Sequence, residues 1–129
     1  MTTYDATLFN PPAPLAQVSL RNPQNTQTLA HVPMLIDSGA DVTLIPSASA
    51  TQLDLVADTN ALYELMGFDG NLSFASVVQL EMRFLNKTFR GQFLLIDQAW
   101  GVLGRDVLNL ISISLDGPNL TWREQRGSR

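Results

Sequence analysis

The apolar pattern of the chain predicts an all-β domain. Three observations carry that expectation: apolar residues recur in short alternating runs, clusters of Gly, Pro, Asn and Asp separate those runs at close intervals, and only two short stretches have helical character. Taken in order, residues 1–14 hold Pro11, Pro12 and Pro14, which lack the N–H that a strand ladder needs, so this segment is expected to be a flexible extended arm outside the core. Residues 15–20 and 29–36 alternate across Asn22-Pro23-Gln24-Asn25 and form a first hairpin. Pro46 is suited to open a short helix over 47–55. Residues 61–66 and 72–80 flank Gly67-Phe68-Asp69-Gly70-Asn71, whose glycines and Asn tolerate a tight reversal. Residues 77–85 and 88–96 alternate around Asn86-Lys87, a second short helix fits 105–110, and 111–115 meets 120–122 across Asp116-Gly117-Pro118-Asn119.

With 129 residues, the chain has the length of one domain, placed over 15–122 between the arm and a basic tail, 123–129. The last four residues, Arg126-Gly127-Ser128-Arg129, are set aside as foreign to the fold. Charged residues make up 16%, against roughly 25% in typical domains, which points to surface buried in an oligomer. Residues 1–122 carry 11 acids and 5 bases, a net charge of −6, so the body repels phosphate backbones and nucleic-acid binding is not expected. The absence of cysteine excludes thiol catalysis, disulfides and zinc–cysteine sites, and a single histidine excludes most metal clusters and Ser-His-Asp arrangements. Any chemistry falls to carboxylates or hydroxyls, without metal or cofactor. His31 is read as a strand residue with no catalytic part. No apolar run is long enough to span a bilayer and no secretory signal is visible, so a cytoplasmic protein without a membrane partner is expected, and Asn86-Lys87-Thr88 and Asn119-Leu120-Thr121 are chance glycosylation matches.

The informative stretch is Met34-Leu35-Ile36-Asp37-Ser38-Gly39-Ala40-Asp41-Val42-Thr43-Leu44-Ile45, where a carboxylate and a hydroxyl interrupt two apolar strands. An ionised Asp at the end of a buried strand must be compensated, and Ser38, Gly39 and Ala40 offer a hydroxyl and approachable N–H groups. Asp37-Ser38-Gly39-Ala40-Asp41 resembles the Asp-Thr/Ser-Gly-Ala signature of retropepsin-like aspartic proteases. Further on, Trp100-Gly101-Val102-Leu103-Gly104-Arg105-Asp106-Val107-Leu108 resembles that family's second signature, two apolar residues, Gly, Arg, then Asp or Asn, opening a short helix. The glycine-bearing hairpin between them falls where the family carries its flap.

The resemblance implies a closed, barrel-like β fold with one short C-terminal helix and a flap hairpin, working as a C2 homodimer, because the chain holds one such signature and the family's catalytic unit needs two facing aspartates. It implies an aspartic endopeptidase with Asp37 catalytic, acting on extended peptides through an activated water. Ser38 would brace the two aspartates across the dimer axis, Gly39 would permit close backbone approach, and Ala40 lacks the extra hydroxyl of pepsin-like enzymes, which favours a mildly acidic optimum. Asp41 and Arg105 match a structural ion pair, expected to be bidentate. Val102 and Leu103 match pocket and packing positions; Met66, Gly67, Phe68 and Asp69 would belong to the flap. Phe68 and Asp69 depart from the glycine run of viral flaps, and the C-terminal hairpin departs from the single terminal strand of viral dimers. The free-standing length favours a cellular, bacterial type over a viral one. The rival reading is a dimeric peptide-binding scaffold of the same fold with negligible activity. An unrelated β-barrel interaction domain, the third reading, predicts a stable monomer.

Overall fold

The computed structural model describes residues 2–66 and 72–126. Its elements run β1 (Thr2–Asp5), β2 (Ala13–Arg21), β3 (Thr28–Ile36), β4 (Leu44–Pro46), α1 (Ser47–Gln52), β5 (Asp58–Met66), β6 (Leu72–Phe84), β7 (Lys87–Ile96), β8 (Gly101–Leu103), α2 (Arg105–Leu108), β9 (Ile113–Asp116) and β10 (Thr121–Glu124). Mostly β structure and the hairpin order follow the sequence pattern.

The strands form one sheet in the order β5-β6-β7-β4-β8-β3-β2-β1-β10-β9, and β6 also pairs with β2. That extra pairing, Ser19 to Arg21 against Arg83 to Glu81, closes β6, β7, β4, β8, β3 and β2 into a six-stranded barrel. Inside it lie alternate residues of each strand, as a period of two demands: Ala16, Val18 and Leu20 from β2, Val32, Met34 and Ile36 from β3, Val78, Leu80, Met82 and Phe84 from β6. Each fully buried Leu or Met contributes about 1.5–3 kcal/mol relative to exposure, so this lining is the main stabilising term.

Local devices fix the register. Between β2 and β3 the pairing shifts after Val18, so that one residue of β2 faces two of β3, and His31 takes a left-handed φ of 62° at this bulge. His31 is exposed and bonds Gln17 at 3.1 Å, a strand-edge role. The first turn is organised by buried Asn22, whose amide donates to the Leu53 carbonyl (2.8 Å) and accepts from the Gln24 amide (2.9 Å). The β6–β7 reversal sits one residue earlier than the sequence suggests. Leu85 and Asn86, both at positive φ, form the two-residue turn and Lys87 pairs with Phe84, because left-handed residues match the twist of the flanking strands.

One expectation is corrected. Residues 1–14 are not an arm outside the sheet: Thr2 and Thr3 pair with Trp122 and Thr121, while Tyr4 and Asp5 pair with Pro14 and Ala13. Pro11 and Pro12 fall in the connection, and Pro14 sits at the beginning of β2, where a missing N–H is tolerated. Trp122 is buried and donates its indole N–H to the Leu15 carbonyl at 3.1 Å, and Phe9 packs edge-on against Trp100 at 5.0 Å. In the intervening turn the N–H of Leu8, then groups of Thr7, hold the exposed Asp5 carboxyl below its ordinary range, a small stabilisation present at neutral pH and lost as pH falls through that lowered value. At the other end, β10 runs to Glu124, so the strand continues into the segment read as a tail.

Gly101 shows how tightly β8 is held. A Cβ there would collide with the Leu44 carbonyl and the Met34 sulfur. Gly101→Ala is expected to cost about 1–3 kcal/mol, the range for overpacking a core, read as a lower urea midpoint with an unchanged slope.

Candidate active site

β8 lies between the strand that enters the Asp37 turn and the strand that leaves it. It pairs in parallel with β3 (Met34 to Ile36 against Gly101 to Leu103) and antiparallel with β4 (Leu44 against Val102). The loop from Asp37 to Thr43 must therefore cross over the chain as it passes from β8 into α2. Two glycines make the crossing feasible. At Gly104 a Cβ would run into the Val42 backbone, and at Gly39 it would press on an Asp37 oxygen at 3.1 Å.

Asp37 is half-buried at the end of β3. Its N–H donates to the Leu103 carbonyl (3.1 Å), its carbonyl accepts from the Ala40 N–H (3.1 Å), and its Oδ1 accepts from the Gly39 N–H (2.9 Å). The turn is thereby closed on itself and stitched to β8, with a carboxylate held by one backbone donor. Ser38 and Gly39 are exposed at its tip, and Ala40 accepts from the Arg105 N–H at 2.9 Å.

Arg105 does not grip Asp41 with both arms of its fork. One guanidinium nitrogen meets Asp41 Oδ1 at 2.5 Å and the other donates to the Ser38 carbonyl at 2.8 Å. The side chains are 44% and 83% exposed, so the ion pair alone is worth at most about 1 kcal/mol. With its own N–H on the Ala40 carbonyl as well, Arg105 ties three consecutive parts of the loop to α2.

The stronger clasp was not legible in the sequence. Thr43, buried, donates its hydroxyl to Asp106 Oδ1 (2.7 Å) and its N–H to Asp106 Oδ2 (3.1 Å), and its Oγ1 accepts from the Gly104 N–H (3.1 Å). The signal available was a lone hydroxyl between Val42 and Leu44-Ile45, and an acidic residue in the first turn of a short helix; each has an ordinary local explanation. Leu103 is fully buried in the barrel and packs; Val102, 8% exposed, pairs with Leu35 and Leu44 on either side. Met66 ends β5, its side chain outside the described residues, as are Gly67, Phe68 and Asp69. On either side of the undescribed residues, Leu62 to Met66 pair with Ser76 to Leu72.

No protein-family model matches the chain, and no curated protein matches it. Solved structures do. The chain is similar to the EIAV protease in complex with the inhibitor HBY-793, with 20% identity and a TM-score of 0.55, over 75% of this chain and 86% of that one. At that identity the likeness establishes the fold: the six-stranded barrel with its crossing loop is a retropepsin-like fold. None of the helices among the described residues is long and apolar enough to cross a membrane.

Thr43→Val keeps shape and removes the hydroxyl, leaving the buried Gly104 N–H without an acceptor. A loss of about 1–3 kcal/mol is expected by urea titration, with Thr43→Ser close to wild type.

Proposed function

We propose that the chain is an aspartic endopeptidase whose catalytic pair is Asp37 from two copies related by a two-fold axis. The observation that carries this reading is the Asp37-Ser38-Gly39 turn, presented half-buried over β8 within a retropepsin-like fold. One copy supplies one carboxylate, so the unit that acts is a homodimer. The fold likeness supports a peptide hydrolase, and the solved relative binds an inhibitor, in keeping with an extended peptide as substrate.

Two carboxylates about 3 Å apart do not both ionise, so the pair shares one proton. The ionised member takes a proton from a water lying between the two, and the oxygen attacks the peptide carbonyl carbon. The protonated member gives its proton to the carbonyl oxygen, which yields a tetrahedral diol. Transfer of a proton to the amide nitrogen then lets the C–N bond break, releasing a carboxylic acid and an amine. The Gly39 N–H fixes the rotamer of Asp37 through Oδ1, and the other oxygen would carry this exchange. Arg105 and Thr43 act at one remove, holding the turn on α2. Ser38, exposed at the tip, would brace the opposite turn through its hydroxyl. Met66, Gly67, Phe68 and Asp69 would cover the substrate from the β5–β6 hairpin, with Val102 on the floor.

Cleavage of a mixed peptide library is expected to follow a bell-shaped pH profile, highest at mildly acidic pH, to rise more steeply than linearly with protein concentration, and to respond to a statine-type inhibitor. Asp37→Asn should lower the rate by about 10²-fold or more while leaving the fold and association intact. Wild type that cuts nothing at concentrations where it is dimeric would sink this reading and leave a peptide-binding domain.

A further inference from the structure

We propose that the outer edge of β9 is where a second copy of this chain docks, strand against antiparallel strand, with Ser114 on the two-fold axis. The inference rests on the dyad reading above, since a single Asp37 leaves that site incomplete, and it adds which strand joins the copies and in what register.

Two strands end the sheet, β5 and β9. β5 is broken by a register shift between Asp58 and Leu62, and bulged edges resist further pairing. β1 is not available for exchange between copies, because β10 lies on one side of it and β2 on the other. That leaves β9, whose sequence Ile113-Ser114-Leu115-Asp116 contains no proline and no lysine to guard its edge.

The phase of the ladder shows which groups the edge presents. Gln125 donates its N–H to the Ser112 carbonyl at 2.8 Å, and the pairs that follow are Glu124 with Ile113, Arg123 with Ser114, Trp122 with Leu115 and Thr121 with Asp116. Hydrogen-bonded and non-bonded pairs alternate, so Ser112, Ser114 and Asp116 turn their backbone groups toward β10, whereas Ile113 and Leu115 turn theirs outward. On the far side of β10, Tyr4 donates to the Leu120 carbonyl at 2.8 Å, the same phase seen from β1. An antiparallel copy that places Ile113 opposite the partner's Leu115 satisfies all four outward groups on each strand, and that register puts Ser114 opposite the partner's Ser114.

The side chains agree. Leu115 lies opposite Trp122 on the face turned to the core, yet Leu115 is 55% exposed where Trp122 is 3% exposed, because among the described residues no strand pairs beyond the edge. Ile113, on the same face, packs against the core cluster. In the proposed register the partner's Ile113 covers Leu115, and the reverse.

The chain contains no cysteine, so single cysteines report the register cleanly. A non-bonded antiparallel pair has Cα atoms about 4.5 Å apart, within disulfide reach. Ser114→Cys is therefore expected to give a covalent dimer on mild oxidation, seen on a non-reducing gel at about twice the 14.2 kDa of the chain. Leu115→Cys, displaced from its mate by two residues or about 7 Å along the strand, should stay uncrosslinked. Leu115→Pro removes an outward N–H and none that β10 uses. It is expected to shift the light-scattering mass from dimer to monomer with an unchanged far-UV spectrum. Crosslinking through Leu115→Cys in preference to Ser114→Cys, a dimer indifferent to Leu115→Pro, or a wild type monomeric up to about millimolar concentration would each overturn the proposal. A crosslinked Ser114→Cys dimer that cleaves nothing would instead overturn the protease reading and leave the interface standing. Cleavage by a Leu115→Pro protein that remains dimeric would do the reverse.

Discussion

Everything at the candidate site depends on the clasp between Thr43 and Asp106. The loop from Asp37 to Thr43 must pass over the chain that leaves β8, and a crossing of two backbones is stable only when their polar groups are satisfied where they meet. Thr43 meets that demand from one buried position, donating hydroxyl and N–H to the two oxygens of one carboxylate while its oxygen accepts from Gly104. Hydrogen bonds to an ionised group are worth roughly twice those between neutral groups. The Asp41–Arg105 pair is shorter but far more exposed, and solvent screening leaves it the smaller share. The buried hydroxyl, not the visible ion pair, fixes where the Asp37 turn sits.

That turn inherits its rigidity from barrel closure. The second half of β2 is shared between β3 and β6, so the two ends of the sheet are joined and β3, which delivers Asp37, has neighbours on both sides. Gly101 is glycine because β8 is threaded so closely between β3 and β4 that a methyl group has nowhere to go, and Gly104 because the crossing loop brings the Val42 backbone just as close. Rigidity suits the proposed chemistry, because two carboxylates sharing a proton must be held within a fraction of an ångström of one another. The loop supplies half of that arrangement, and the open edge of β9 offers a route to the other half.

The N-terminal residues illustrate how context overrides composition. Three prolines in four positions argue for an extended arm, and locally they do interrupt pairing. But Thr2–Asp5 sits beside an otherwise open β10, and strand pairing with Trp122 and Thr121 satisfies backbone groups on both strands that would otherwise form a bare edge. The C-terminal hairpin is the counterpart: its existence was plain from Asp116-Gly117-Pro118-Asn119, whereas its position between β1 and an open edge was not.

Most strands, both short helices and the Asp37-Ser38-Gly39 stretch with its downstream Gly104-Arg105-Asp106 partner are legible in the sequence, though β1 and the exact β6–β7 turn are not, because alternation, turn chemistry and short motifs are local properties read within about ten residues. Only long-range contacts set β8 between β3 and β4, divide the Arg105 fork between Asp41 and Ser38, join Thr43 to Asp106 across 63 positions and, among the described residues, leave β9 at the end of the sheet. Those are contacts between residues far apart in the chain, set by barrel closure and by which buried polar groups find partners. No local pattern encodes them.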